Sequence, residues 1–137
     1  MMDKIIIKGL EIYAFHGVNQ EEKKDGQKFI VDAELNVNLR RAGETDDLKD
    51  TVSYSKAVKT IIKVIKESSY NLLERVATRI IQQLFSEFIE INSIDITIKK
   101  PDAPIDAEFK YMAVCISRDR NDFYERSGAG VWGKLRQ

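Results

Sequence analysis

The stretch QKFIVDAELNVNLR, residues 27–40, decides how the rest of the chain is read. Phe29, Val31, Ala33, Leu35, Val37 and Leu39 fall on one side of a two-residue period, and Asp32, Glu34, Asn36 and Asn38 on the other. Successive strand side chains point to opposite faces, so this is a half-buried antiparallel strand with one dry face and one wet face. Its dry face calls for a covering layer, and its edges call for partners.

Upstream, residues 4–15 are rich in β-branched and aromatic types, Ile5, Ile6, Ile7, Ile12, Tyr13 and Phe15 among them, and read as a strand with Gly9 as a bulge or close-approach point. His16 to Gly26 is polar and reads as a connection. Downstream, residues 41–51 carry Gly43, Thr45 and three aspartates and read as a second connection. The period then changes. Val58, Ile61, Ile62 and Ile65 give an amphipathic helix over 55–67, Ser68 to Asn71 interrupts it, and Leu72, Leu73, Val76, Ala77, Ile80, Ile81, Leu84 and Phe85 give a second helix with a broad apolar stripe. Alternation returns at 93–100 through Ile94, Ile96 and Ile98, and stops at Pro101 and Pro104. A last strand over 109–118 carries Met112, Val114 and Ile116 on one face.

The order ββααββ predicts an α+β fold, a four-stranded antiparallel sheet with two helices on one face. Such a sheet has two bare edges, and joining copies edge to edge removes them, so a homo-oligomer is expected; a monomer with a solvated back face is the other reading. Residues 1–120 read as one domain. Residues 121–137, with Gly128, Gly130 and Gly133 and no sustained period, read as a flexible tail.

Acidic and basic residues balance at 22 each in 137 residues, so no global field attracts nucleic acid or a membrane surface. No apolar run is long enough for a membrane span or a signal-peptide core, and the chain reads as a cytoplasmic protein. The single cysteine, Cys115, lies in an apolar run and reads as a buried, inert thiol. With one histidine, His16, no zinc site of the usual ligand types is expected. A carboxylate-only magnesium site stays open, without a phosphate-binding glycine loop to accompany it. His16 itself, beside Gly17 at a strand end, reads as structural.

Four places carry chemistry-bearing side chains. Lys99 and Lys100 end the third strand and point to opposite faces, so only one can share a given pocket; the ordinary reading of each is a solvated charge, and the functional one is a proton-transfer group in a dry site. Glu74, three residues after Asn71, reads first as part of a capping box, and second as a carboxylate taking paired N–H bonds from a ligand. Glu21 and Glu22 read as a solvated pair offset by Lys23 and Lys24. Tyr54 reads as a half-buried aromatic with its hydroxyl in water.

The run Tyr13-Ala14-Phe15-His16-Gly17, then Glu22, then Gly26-Gln27-Lys28-Phe29, resembles the N-terminal signature of dihydroneopterin aldolases. Thr45-Asp46, Asp50-Thr51-Val52 with Tyr54, Asn71-Leu72-Leu73-Glu74, and Lys100 before a proline-containing turn follow in the family's order, so the resemblance covers about residues 3–120. It implies the tunnelling fold, in which ββααββ units join into an oligomeric β-barrel, as a tetramer ring or an octamer of two rings. It also implies sites between neighbouring subunits, with no metal and no cofactor. The implied substrate is 7,8-dihydroneopterin, cleaved to 6-hydroxymethyl-7,8-dihydropterin and glycolaldehyde in folate biosynthesis, with epimerase side activity.

On the matching positions the resemblance makes Lys100 the general acid/base and Tyr54, from the adjacent subunit, its aid in proton transfer. Glu74 anchors the pterin, with the Leu73 backbone and the backbone near Val52 adding contacts. Glu22 orients the hydroxylated side chain and Gln27 supports the site. The chemistry is coherent: a dihydropterin carries a C=N bond conjugated to the breaking bond, so the substrate is its own electron sink. The sequence departs from the family at Pro101-Asp102-Ala103-Pro104-Ile105-Asp106-Ala107, where more proline and a glycine are usual, and at Ser53, where a histidine is often seen. The rival readings are a dihydroneopterin-triphosphate epimerase of the same fold and a catalytically silent pterin-binding or assembly module.

Overall fold

A computed structural model describes residues 3–123. Four strands form one antiparallel sheet in the order β1-β2-β3-β4: β1 is Lys4–Ala14, β2 Gln27–Val37, β3 Ile91–Lys100 and β4 Met112–Asp119. The alternation that singled out β2 is realised residue by residue, with Phe29, Val31, Ala33, Leu35 and Val37 all buried. Two long helices cover that face, α3 (Tyr54–Lys66) and α4 (Leu73–Glu87), which bury Ile61, Ile65, Ile80, Ile81, Leu84 and Phe85 against it. The opposite face stays polar, with Lys4 paired to Glu34 at 2.9 Å and Lys99 to Asp32 at 3.0 Å.

Gly9 is a bulge. Ile7 pairs with Ala33 and Leu10 with Val31, so β1 carries one extra residue there. The inward set of β1 therefore shifts from Ile5 and Ile7 to Leu10, Ile12 and Ala14. Gly9 holds φ +73°, a conformation favouring glycine, and its N–H donates to Asp32 Oδ1 at 2.7 Å.

Several expectations need correction. The connection at 16–26 contains a short helix, α1 (Gln20–Asp25), and the one at 41–51 contains α2 (Arg40–Thr45) and a 3₁₀ turn at Leu48–Asp50. Each is too short to show an apolar period; local side chains hold them instead, as when Asp50 accepts from Arg41 Nε at 2.9 Å and Thr45 Oγ1 at 2.6 Å. Asn71 does not cap α4. The helix begins at Leu73 with Leu72 at the cap position and no side-chain cap, which leaves Glu74 exposed in the first turn. Cys115 is exposed, because β4 alternation turns Val114 and Ile116 toward the helices and Cys115 to the wet face.

The ordered fold also runs past residue 120. Phe123 is buried, 5.3 Å from the Phe85 ring, and Arg120 donates to the carbonyls of Phe85, Phe88 and Ile91 at 2.7–2.9 Å. The expectation of a flexible tail otherwise concerns residues 124–137, which lie outside the described residues.

Candidate active site

One corner of the sheet gathers the ends of β1 and β3, the start of β2, and α1. There Lys100 Nζ lies 2.5 Å from Glu22 Oε2, and Gln27 Nε2 donates to the same carboxylate at 2.9 Å. The Asn19 N–H donates to Glu22 Oε1 at 3.3 Å, the reciprocal half of a capping box that starts α1. Glu22 is thus not a solvated acid but a buried one, 6% exposed. Burial pushes its carboxyl upward, but hydrogen bonds from Lys100, Gln27 and the Asn19 backbone outweigh that and hold it below the ordinary glutamate value. Gln27 is buried too, and its Oε1 has no partner among the described residues, a carbonyl acceptor beside the ion pair.

Strand alternation settles which lysine enters this corner. Lys99 points to the wet face, paired with Asp32 and 5.1 Å over the Tyr111 ring, while Lys100 turns to Glu22. The unusual turn after Lys100 closes on itself, Ile105 N–H to Ala103 O and Ala107 N–H to Ile105 O, both 2.8 Å. Pro104 of that turn lines, with Asn19, Gln20, Glu21 and Glu22, a cavity of about 450 Å³.

Gly17 and His16 form the floor of the corner, and reading the sequence as residue types missed this role for both. A Cβ on Gly17 would stand 2.3 Å from Glu22 Oε1, and Gly17 holds φ +149°. The signal was present as His-Gly at the strand end and Asn19 three residues before Glu22. Lys23 Nζ donates to the Gly17 carbonyl at 2.6 Å, and the Gly17 N–H donates to the Tyr70 carbonyl at 2.9 Å. That last bond ties the corner to the α3–α4 linker, and so to Leu73 and Glu74 at the start of α4. The Glu74 carboxylate has no hydrogen bond or ion pair among the described residues, and exposed Val18 and Leu72 lie on the two segments that the bond joins.

Val52 and Tyr54 do not join them. Val52 is buried and Tyr54 is 66% exposed, and both line a cavity of about 350 Å³ with Ile5 and Leu39, at the opposite end of the sheet. The two ends are separated by the length of β2, roughly 30 Å at about 3.3 Å per residue. A roomier cavity of about 740 Å³ on the outer side of α3, among Lys56, Lys59, Lys63 and Phe88, contains none of the predicted binding residues. Among the described residues no three His, Cys, Asp or Glu side chains are grouped to hold a metal ion, and no helix is long and apolar enough to cross a membrane.

Residues 5–117 match the family described as FolB, dihydroneopterin aldolase. The chain is 41% identical over 120 residues to dihydroneopterin aldolase 1 of Arabidopsis thaliana, covering 87% of this chain and 82% of the relative. It is 39% identical over 119 residues to the dihydroneopterin aldolase of Streptococcus pyogenes serotype M18, covering 87% of this chain and all of the relative. The E. coli dihydroneopterin aldolase solved in complex with neopterin superimposes with a TM-score of 0.78 at 29% identity, covering 85% of this chain and 99% of that one.

Proposed function

The chain belongs to the dihydroneopterin aldolase family, and from that premise we propose that Glu22, Gln27 and Lys100 form the proton-transfer half of its active site. Its activity is that of a carbon–carbon lyase of folate biosynthesis, acting on 7,8-dihydroneopterin. The observation that carries the residue assignment is the 2.5 Å pairing of Lys100 with a buried, ionised Glu22. It presents an ammonium proton donor and a carboxylate acceptor side by side, with the Gln27 carbonyl free to receive a substrate or water donor.

In the reaction the bond between the first and second side-chain carbons breaks. The proton of the second carbon's hydroxyl leaves and glycolaldehyde departs. The bond's electron pair moves through the carbon beside the ring onto the ring imine nitrogen, which takes up a proton. The first carbon is then protonated as that nitrogen gives its proton up, leaving the hydroxymethyl product. Lys100 moves these protons, Glu22 holds the side-chain hydroxyls, and Glu74 receives the paired N–H groups of the pterin edge, with the Leu73 backbone beside it. If glycolaldehyde stays bound and the bond re-forms on the opposite face of its carbonyl, the second carbon is inverted, which is the epimerase side activity.

Tyr54 and Val52 reach the same substrate only from a second copy, since roughly 30 Å of strand separates them from Lys100 within one chain. The bare edges of β1 and β4, with Ile6, Tyr13 and Met112 exposed, support a closed ring of chains, a tetramer or two stacked rings. The exposed, unpaired Cys115 thiol supports a reducing, cytoplasmic location.

The test is incubation of metal-stripped protein with 7,8-dihydroneopterin and analysis of products. Glycolaldehyde together with 6-hydroxymethyl-7,8-dihydropterin is the expected result. An epimer without glycolaldehyde shifts the reading to an epimerase, and unchanged substrate ends it.

A further inference from the structure

We propose that His16 is a positioning residue for this reaction, a two-sided clamp that fixes the pterin-anchoring arm at Leu73-Glu74 against the proton-transfer corner; the inference rests on the active-site reading above. His16 is 1% exposed. Its Nε2 lies 2.9 Å from the carbonyl of Ile65, near the end of α3, and its Nδ1 lies 3.0 Å from the backbone nitrogen of Tyr70, in the α3–α4 linker. A carbonyl only accepts and a peptide N–H only donates. The imidazole is therefore neutral, protonated on Nε2, with Nδ1 as acceptor.

The linker is gripped by more than this ring. The Tyr70 carbonyl takes the Gly17 N–H at 2.9 Å, so residues 16 and 17 hold both backbone groups of Tyr70. The Tyr70 ring stacks on His16, centroids 5.7 Å apart at 18°, and the Arg75 guanidinium lies 5.8 Å from the Tyr70 ring centroid. Tyr70 stands four residues before Glu74, and Gly17 packs directly on the Glu22 carboxylate. Continuous contacts therefore run from Glu22 through Gly17 and His16 to Tyr70 and on to α4. The start of α4 has no side-chain cap of its own, so the linker is what sets where Glu74 stands.

Two variants separate the two bonds. In His16→Asn the side-chain oxygen occupies the place of Nδ1 and keeps the Tyr70 bond while losing Ile65. In His16→Gln the amide nitrogen reaches the place of Nε2 and keeps Ile65 while losing Tyr70. Both are checked for folding by circular dichroism, then titrated with neopterin and assayed for kcat and KM on 7,8-dihydroneopterin. His16→Gln should weaken neopterin binding and raise KM about tenfold, the size of one lost hydrogen bond, with kcat little changed. His16→Asn should stay within about threefold of the parent in both, well inside one such bond. A folded His16→Gln that binds like the parent, or a folded His16→Asn that loses binding, overturns the clamp while leaving the parent's activity as evidence for the aldolase reading. A parent that neither binds nor cleaves overturns both. Since the chain has one histidine, ¹⁵N spectra of the parent's imidazole need no assignment, so the clamp is testable even if both variants misfold. The Nε2–H tautomer is expected, and the Nδ1–H tautomer would remove the Tyr70 bond and the proposal with it.

Discussion

Glu22 shows how one carboxylate can be buried and remain charged. Burial works against its ionisation, and three hydrogen bonds overcome it. Its charge, and with it the pairing with Lys100, persists below the ordinary glutamate value of about 4.3. The Glu22 share of any acid loss in kcat should therefore appear only below about that pH, which a kcat profile from about pH 3 to 8 checks. His16 behaves oppositely. Burial lowers its pKa, partly offset by the Ile65 carbonyl, so the folded protein favours the neutral ring and the unfolded chain takes up the proton first. Its contribution to stability is complete above about pH 6.5 and is lost as pH falls toward the lower folded value. The urea midpoint should drop between about pH 7 and 5 in the parent and much less in His16→Asn. Glu74→Ala should cost about 1–3 kcal/mol of neopterin affinity, because substrate donors lose a charged acceptor. Lys100→Ala should leave neopterin affinity within a few-fold and lower kcat by about 10²–10⁴. Unchanged turnover in the lysine variant would reassign the proton transfer.

At the scale of elements, the short pieces matter as much as the long ones. α1 exists because Asn19 and Glu22 start it, and it delivers Glu22 to the end of β3. Gly17 permits this by lacking a Cβ. Gly17→Ala should displace the carboxylate and lower kcat/KM sharply while far-UV circular dichroism stays close to the parent's. At the far end of α4, Arg120 satisfies carbonyls of Phe85 and Phe88 that the helix leaves open, bonds Ile91 at the start of β3, and lies 4.6 Å over the Phe85 ring. Arg120→Ala should destabilise by about 2–4 kcal/mol in urea melts, and Arg120→Lys should recover little, since an ammonium cannot fork to three carbonyls.

For the whole molecule, the proposed site requires residues at opposite ends of a strand to meet. Tyr54 opens α3 at one end of the sheet, and Lys100 closes β3 at the other. A substrate the size of a pterin spans neither the roughly 30 Å between them nor the core that fills it. Two chains packed edge to edge offer the simplest junction. Mixing Tyr54→Ala with Lys100→Ala, each impaired alone, should raise activity above that of either variant after joint refolding, because some junctions then carry both intact residues. No recovery would confine each site to one chain.

The sheet, the two covering helices and the wet back face were legible in the sequence, because burial on one side writes a period of two into β2 and a period near 3.6 into α3 and α4. The resemblance named Glu22, Gln27, Leu73, Glu74, Lys100, Val52 and Tyr54, yet residue type alone read Glu22 as solvated and Glu74 as half of a cap. Period could not show α1 or α2, which are too short to repeat, nor that Cys115 faces water, since an edge strand is apolar without being covered. The resemblance already gave Tyr54 to a neighbouring subunit; the folded chain supplied the direct contact of Glu22 with Lys100 and put Tyr54 at the far end of the sheet. That choice depends on where strand ends fall in three dimensions, and contacts across 78 positions of sequence leave no local trace in either segment.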